Sequence, residues 1–241
     1  MIIENQIVPY HCSELPAGPW LVFAPHADDE TFGMGGTLLK AKAAGLSVKL
    51  VIMTDGALGG SQAELVAVRR AEAHKVASYL GIGDVKFLEQ PDRGLHFSDT
   101  LCNQISAIIT ASAASTVFFP GVYEPHPDHR STAMLVWEAL NRMDVPEPQA
   151  VAYEISVQNP VNSLVDVTAE MPGKKAAMEL YLSQLAENNY SEIVQAQNKL
   201  RTFSLPVQVA YAEGFYHFSR EERAGSLFAA MHARLQALLA Q

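Results

Sequence analysis

Up to residue 155, short apolar β-rich runs alternate with longer stretches in which apolar side chains recur at helical spacing. Runs at 20–25 (WLVFAP), 47–53 (SVKLVIM), 85–89, 115–120 (STVFFP) and 150–155 predict buried strands. Helices are expected between them at 31–44, 63–80, 98–113 and 128–141, with Gly45 and Gly81 standing where helices commonly close. This alternation is the pattern of a parallel sheet wrapped by helices. In a doubly wound order 3-2-1-4-5, strands 1 and 4 are neighbours and their carboxyl ends form one crevice. Past residue 160 the pattern changes. An edge strand at 163–167 is expected, then helices at 172–187 and 189–203, the first with Pro172 at its opening position. A strand-like piece (QVAYAEGFYHF) and a terminal amphipathic helix at 221–239 follow. Neither an internal repeat nor a Ser/Gly linker divides the chain, so residues 1–241 read as a single α/β domain.

Composition narrows the function classes. The 241 residues are 49% hydrophobic and 18% charged, enough to bury a full core, which excludes disordered and collagen-like chains. Seventeen Lys+Arg against 26 Asp+Glu give a net charge of −9, the wrong sign for neutralising phosphates, so no nucleic-acid partner is expected. Cys12 and Cys102 are too few for a disulfide framework or a cysteine-based zinc site. The start of the chain lacks a basic segment followed by an apolar one, and the longest apolar runs fall far short of a membrane span. A cytoplasmic protein with no integral membrane segment is the expectation.

Two clusters carry the chemistry. Pro25-His26-Ala27-Asp28-Asp29-Glu30 follows the first strand, and His126-Pro127-Asp128-His129 follows the fourth. Both stand at strand-to-helix transitions on the expected crevice. Two neutral imidazoles and one carboxylate, from His26, Asp29 and His129, leave open positions for water and substrate, as catalytic zinc sites do. Asp28, beside a ligand but directed elsewhere, is placed to take a proton, and Asp128 to orient His126 through its ring N–H. Acidic residues after a strand often only cap the next helix, and for Glu30 either that or a supporting role behind the ligands is expected. Three consecutive carboxylates beside a histidine are unfavourable without a cation, which decides for a metal. His11, His74, His217 and His232 read as ordinary surface or core histidines.

Weaker signals have blander explanations. Gly33-Met34-Gly35-Gly36 invites a dinucleotide reading, but the strand end where the first glycine should stand holds His26 to Glu30. These glycines instead suit close helix–sheet packing. His26-Ala27-Asp28 with a distant histidine also fits an oxygenase iron site, usually carried on an all-β scaffold. The terminal stripe Leu227, Phe228, Met231, Leu235, Leu238, Leu239 reads as packing on its own domain.

With these residues in place, the chain resembles the PIG-L/LmbE-like family of metal-dependent N-acetylglucosaminyl de-N-acetylases. The two signatures carry the resemblance, together with Gly35-Gly36-Thr37, Thr54-Asp55-Gly56, Arg69-x-x-Glu72, Pro91-Asp92-x-Gly94-Leu95, Tyr181-x-Ser183-Gln184 and Ala212-Glu213-Gly214-Phe215. It implies a Rossmann-like three-layer α/β fold and metal ligands at His26, Asp29 and His129. It also implies Asp28 as general base, and His126, with Asp128 behind it, as the group that stabilises the oxyanion or protonates the leaving amine. Arg69 and Asp92 fall where members hold sugar hydroxyls. Zinc is the implied metal, although the same ligands accept iron, cobalt or manganese. The implied reaction is hydrolysis of an N-acetyl group from an N-acetylated amino sugar or its conjugate, giving acetate and a free amine. The rivals are a metal-dependent amidase on a thiol-sugar or other amide conjugate, and a non-catalytic sugar-binding relative. Ala27 replaces the commoner proline, and Tyr123-Glu124-Pro125 precedes the second cluster where some members carry a tyrosine immediately upstream. Loops 56–62, 90–98 and 121–126 are expected to select the aglycone, and a homo-oligomer stays open.

Overall fold

The computed structural model describes residues 8–57, 63–143, 148–185 and 188–239. All five expected parallel strands form: β1 Trp20–Ala24, β2 Val48–Thr54, β3 Asp84–Gln90, β4 Thr116–Pro120 and β5 Gln149–Tyr153. β1 and β4 are buried along their whole length, as a strand covered on both faces requires. Val22 lies opposite both Leu50 of β2 and Phe118 of β4, which places β1 at the centre. The order is β3-β2-β1-β4-β5-β7-β6, so the predicted 3-2-1-4-5 core stands. The expected edge strand is β6 (Ser163–Asp166). β7 (Ala212–His217) inserts antiparallel between it and β5.

Alternation of side chains along these strands divides the interior into two cores. Trp20, Val22, Leu50, Ile52 and Phe118 face one side, against α1 (Asp29–Ala43), α2 (Ala63–Leu80) and α5 (Met171–Met178). Leu21, Phe23, Val51, Val117 and Phe119 face the other, against α3 (Asp99–Ser112) and α4 (Pro127–Asn141). The result is a three-layer α/β fold with a mostly parallel sheet.

The second half departs from expectation in detail. The helix expected at 172–187 is α5 followed by a single turn, α6 (Leu182–Leu185), and Pro172 is the second residue of α5 rather than the first. The break falls at Tyr181, which is buried and donates its hydroxyl to Glu30, a tertiary bond that a continuous helix would forgo. The next helix, α7, spans Tyr190–Leu200. The expected terminal helix is two, α8 (Arg220–Arg223) and α9 (Leu227–Leu239). A reciprocal Ser219–Glu222 cap starts α8, and Gly225 separates it from α9. Leu227 and Met231 pack into the second core while Phe228 faces outward. The side chains of Leu235, Leu238 and Leu239 lie outside the described residues, as does most of the 56–62 loop.

α1 is kinked at Met34, whose dihedrals (φ −141°, ψ 22°) leave the helical region. The backbone N–H groups of Gly36 and Thr37, beyond the kink, donate to the Glu213 carboxylate of β7 at 2.8 and 2.7 Å. The buried Lys174 ammonium donates to the same carboxylate (2.7 Å), to the Phe32 carbonyl and to Asn198. A Cβ on Gly36 would stand 2.6 Å from Val167, and one on Gly33 would collide with the Glu154 carbonyl and the Tyr153 ring. The glycines therefore serve close approach to the sheet, as expected. Among the described residues no helix is long and apolar enough to cross a membrane.

Candidate active site

The β1 turn brings its functional groups together by bending sharply. Thr54 of β2 donates its N–H and hydroxyl to the Pro25 carbonyl at 3.0 and 2.9 Å, anchoring the end of β1. Asp28 then adopts φ 152°, a backbone region that a side chain rarely takes. This turn lets the His26 N–H donate to Asp29 Oδ2 (2.9 Å) and sets that oxygen 3.0 Å from His26 Nδ1. Across the crevice, His126 caps α4, its Nδ1 accepting the Asp128 N–H at 3.2 Å. One helical turn on, His129 Nε2 lies 3.3 Å from the same Asp29 oxygen. Clusters a hundred residues apart thus meet: the ring centroids of His26 and His126 are 4.7 Å apart, and those of His26 and His129 are 5.4 Å apart.

All eight residues singled out from the sequence lie in or against one cavity of about 380 Å³. His26, Asp28, Asp29, Arg69, Asp92, His126 and His129 line it, and Asp128 sits beneath, buried. Nitrogens of His26, His126 and His129 come within 4.8 Å of one another, as do ligand atoms of His26, Asp92, His126 and Asp128. Arg69 is buried and donates to the Gly56 carbonyl (2.9 Å), and the Gln184 side-chain oxygen accepts from its guanidinium at 3.1–3.3 Å. Glu72, three residues further along α2, accepts the Ser183 N–H and hydroxyl. Glu30 is no helix cap but a buried acceptor of the Thr31 and Tyr181 hydroxyls.

One orientation differs from expectation. The Asp128 carboxylate does not stand behind His126. It accepts the Arg93 and Leu95 N–H groups (2.7 and 3.2 Å) and lies 3.2 Å from His26 Nε2. The 91–95 turn closes over Asp128 and claims that carboxylate, leaving only its backbone N–H for His126.

Burial and like charge set the electrostatics. Desolvation, then the charge of Asp29, holds the Asp28 carboxyl well above the usual range. Burial pushes Asp29 up as well, but the His129 charge and hydrogen bonds from both histidines outweigh it and keep the carboxylate ionised far below its ordinary value. Burial alone would lower His129, yet Asp29 and Glu124 push it up to about 9. His26 is raised in the same manner by Asp128, Asp29 and Asp92 against its desolvation. His126 goes the other way, lowered by burial and by the two neighbouring histidines. Carboxylates that force protons onto two imidazoles set an electrostatic demand that a divalent cation meets. The imidazole and carboxylate donors fit zinc or a similar ion.

Sequence reasoning missed two contributors. Glu124 is fully buried with Oε2 3.4 Å from His129 Nδ1, and its one signal was an acidic residue two places before the second cluster. The opposite wall of the cavity is apolar, from Phe32, Ile155, Tyr190, Ile193 and Val194, with Phe32 and Tyr190 stacked at 5.5 Å. Its α7 members carry no motif.

Known proteins are similar to this chain in sequence and fold. A family model described as PIG-L: GlcNAc-PI de-N-acetylase matches residues 21–140, a span holding both clusters. Diacetylchitobiose deacetylase of Thermococcus kodakarensis is 29% identical over 188 residues, covering 70% of each chain. A probable N-acetyl-alpha-D-glucosaminyl L-malate deacetylase 2 of Bacillus anthracis is 28% identical over 186 residues, 69% of this chain and 81% of the relative. The solved structure of N,N'-diacetylchitobiose deacetylase from Pyrococcus horikoshii superposes with a TM-score of 0.74 at 27% identity, covering 83% of each chain. With the family model spanning the first strand through α4, and with relatives that extend the likeness over most of the fold, the chain belongs to the PIG-L family.

Proposed function

We propose that this N-deacetylase hydrolyses the acetamido group of an N-acetylglucosamine-type sugar or conjugate, releasing acetate and a free amine, with zinc held by His26, Asp29 and His129. The observation that carries the reading is the convergence on one cavity of an acid–base carboxylate, a neutral imidazole donor and a cation-demanding cluster. A bound zinc ion supplies Lewis acidity toward the acetyl carbonyl and the attacking water.

The chain's own residues do the rest. Asp28, with its raised affinity for protons, takes one from the attacking water and holds it for return to the departing nitrogen. His126 accepts a backbone N–H at Nδ1, so its neutral ring carries the proton on Nε2. That N–H is a donor for the oxyanion of the tetrahedral intermediate, the largest single stabilisation in acyl transfer of this kind. Its lowered pKa keeps the ring neutral near pH 7. Arg69 and Asp92, on the polar side of the cavity, bind sugar hydroxyls.

The test is acetate release from a panel containing N-acetylglucosamine, diacetylchitobiose and N-acetylglucosaminyl malate, with zinc content measured on the same protein. Acetate from at least one sugar is expected. Full zinc occupancy with no acetate from any of them would overturn the reading in favour of a sugar-binding relative.

A further inference from the structure

The two histidines assigned to zinc are each backed by a buried carboxylate. His26 turns Nδ1 toward Asp29 Oδ2 and leaves Nε2 to Asp128 (3.2 Å) and Asp92 (3.4 Å). His129 turns Nε2 toward the same Asp29 oxygen, 3.3 Å away, and leaves Nδ1 to Glu124 Oε2 at 3.4 Å. Asp29 Oδ2 therefore marks where the two imidazoles converge, and the nitrogens directed away from it face acids. Asp128 belongs to the second signature and Asp92 to the Pro91-Asp92-x-Gly94-Leu95 stretch. Glu124 belongs to neither.

Glu124 also does more than face one ring. Its Oε1 accepts the Ile155 N–H (2.8 Å) and the Asn159 side-chain amide (3.2 Å), and its Oε2 accepts the Ser156 N–H (2.9 Å). Ile155 and Ser156 line the cavity. The Glu124 backbone carbonyl is held in turn by the Arg130 guanidinium at 2.8 Å. One fully buried carboxylate thus joins a candidate ligand on α4 to the wall segment that follows β5.

We propose that Glu124 is the positioning residue of the metal centre: it fixes His129 with its proton on Nδ1 and Nε2 toward the ion, and ties that ligand to the cavity wall at 155–159. A ligand histidine whose other ring nitrogen donates to a carboxylate has one tautomer and one orientation before the ion arrives, and loss of such a partner typically weakens metal binding 10–100-fold. The inference rests on the assignment of His129 as a ligand, and it concerns metal affinity rather than turnover.

The experiment measures zinc affinity by competition with a chromophoric chelator, alongside the thermal midpoint of each metal-free protein. Glu124→Gln preserves the shape and one acceptor oxygen but removes the carboxylate from His129. We expect roughly 10–100-fold weaker zinc binding. Asn159→Ala disturbs the wall, since Asn159 bonds Glu124, Val157 and Tyr123, yet it leaves the Glu124–His129 pair in place. It is expected to lower the midpoint while zinc affinity stays near wild type. Equal zinc loss in both variants would reduce Glu124 to a wall support and overturn the proposal, as would unchanged affinity in Glu124→Gln. Proton–nitrogen correlation NMR of zinc-loaded wild type reads the tautomer without any variant: His129 protonated on Nδ1 is expected, and a protonated Nε2 overturns the proposal. If wild type binds no zinc, the metal-centre assignment itself falls, an outcome distinct from all of these.

Discussion

Asp28 concentrates the site's chemistry in one residue. Its φ of 152° costs backbone energy of order 1–3 kcal/mol, and such strain persists only where surrounding structure imposes it. Here the imposition is visible: Asp29 is turned inward toward His26 and His129, and its neighbour is left to face the cavity. Adjacent carboxylates with opposite shifts, Asp28 raised and Asp29 lowered, suit the proposed division into proton carrier and metal ligand. Asp28→Asn should therefore retain zinc at wild-type occupancy and lose about 10²–10⁴ in kcat. Elemental analysis together with acetate release would check this, and a variant with wild-type turnover would remove Asp28 from the mechanism. At this scale the sequence disclosed which residues meet but not which way each points. The identities and spacing of His26, Asp28, Asp29 and His129 were readable because a strand end and a helix start leave few alternatives. The direction of the Asp128 carboxylate was not, since it follows from Arg93 and Leu95 N–H groups whose turn closes over it in three dimensions.

Among the elements, α6 shows how a four-residue turn can organise a site that it enters through a single side chain, Gln184. Each polar side chain of Tyr181-x-Ser183-Gln184 reaches a different earlier residue: Tyr181 holds Glu30 of α1, while Ser183 and Gln184 hold Glu72 and Arg69 of α2. Helical periodicity alone predicts one helix across this stretch, because the apolar spacing continues through it. The tertiary bonds that break it involve residues more than a hundred positions away. The parallel strands were legible for the opposite reason, being local apolar runs whose partners are fixed by chirality and short connections. Gln184 supports Arg69 from inside the cavity, so Gln184→Ala should leave zinc content unchanged and loosen the guanidinium. The cost of one or two lost bonds to a charged group is about 1–2 kcal/mol, or roughly 5–30-fold in kcat/KM, expressed mainly in KM. Steady-state kinetics on the best substrate of the panel would decide, and an unchanged KM would show that Arg69 needs no such support.

The whole molecule is organised so that its two sequence halves share one electrostatic problem. Residues of the β1 turn supply Asp28, Asp29 and Glu30, the β4–α4 segment supplies Glu124 and Asp128, and the 90–95 turn supplies Asp92, all buried. Against six buried carboxylates the cavity lining offers the side chains of Arg69 and Arg93 and three imidazoles. β7, inserted between β5 and β6, sends Glu213 to the α1 kink and so fixes the helix that begins at Asp29. A cation bound at the convergence point would therefore stabilise the fold as well as the chemistry, since it touches side chains from both halves only when they are folded together. Zinc at about 100-fold above its dissociation constant contributes about 2.7 kcal/mol to the native state. For a chain of this size that corresponds to roughly 5–10 °C in Tm. Chelator-stripped protein should accordingly melt lower than the zinc-loaded form, and readdition of zinc should restore the difference. His129→Ala, lacking one ligand, should show little of it. Equal midpoints for stripped and loaded wild type, with zinc uptake confirmed by elemental analysis, would mean that the ion sits outside this cluster, and the ligand assignment at His26, Asp29 and His129 would have to be abandoned.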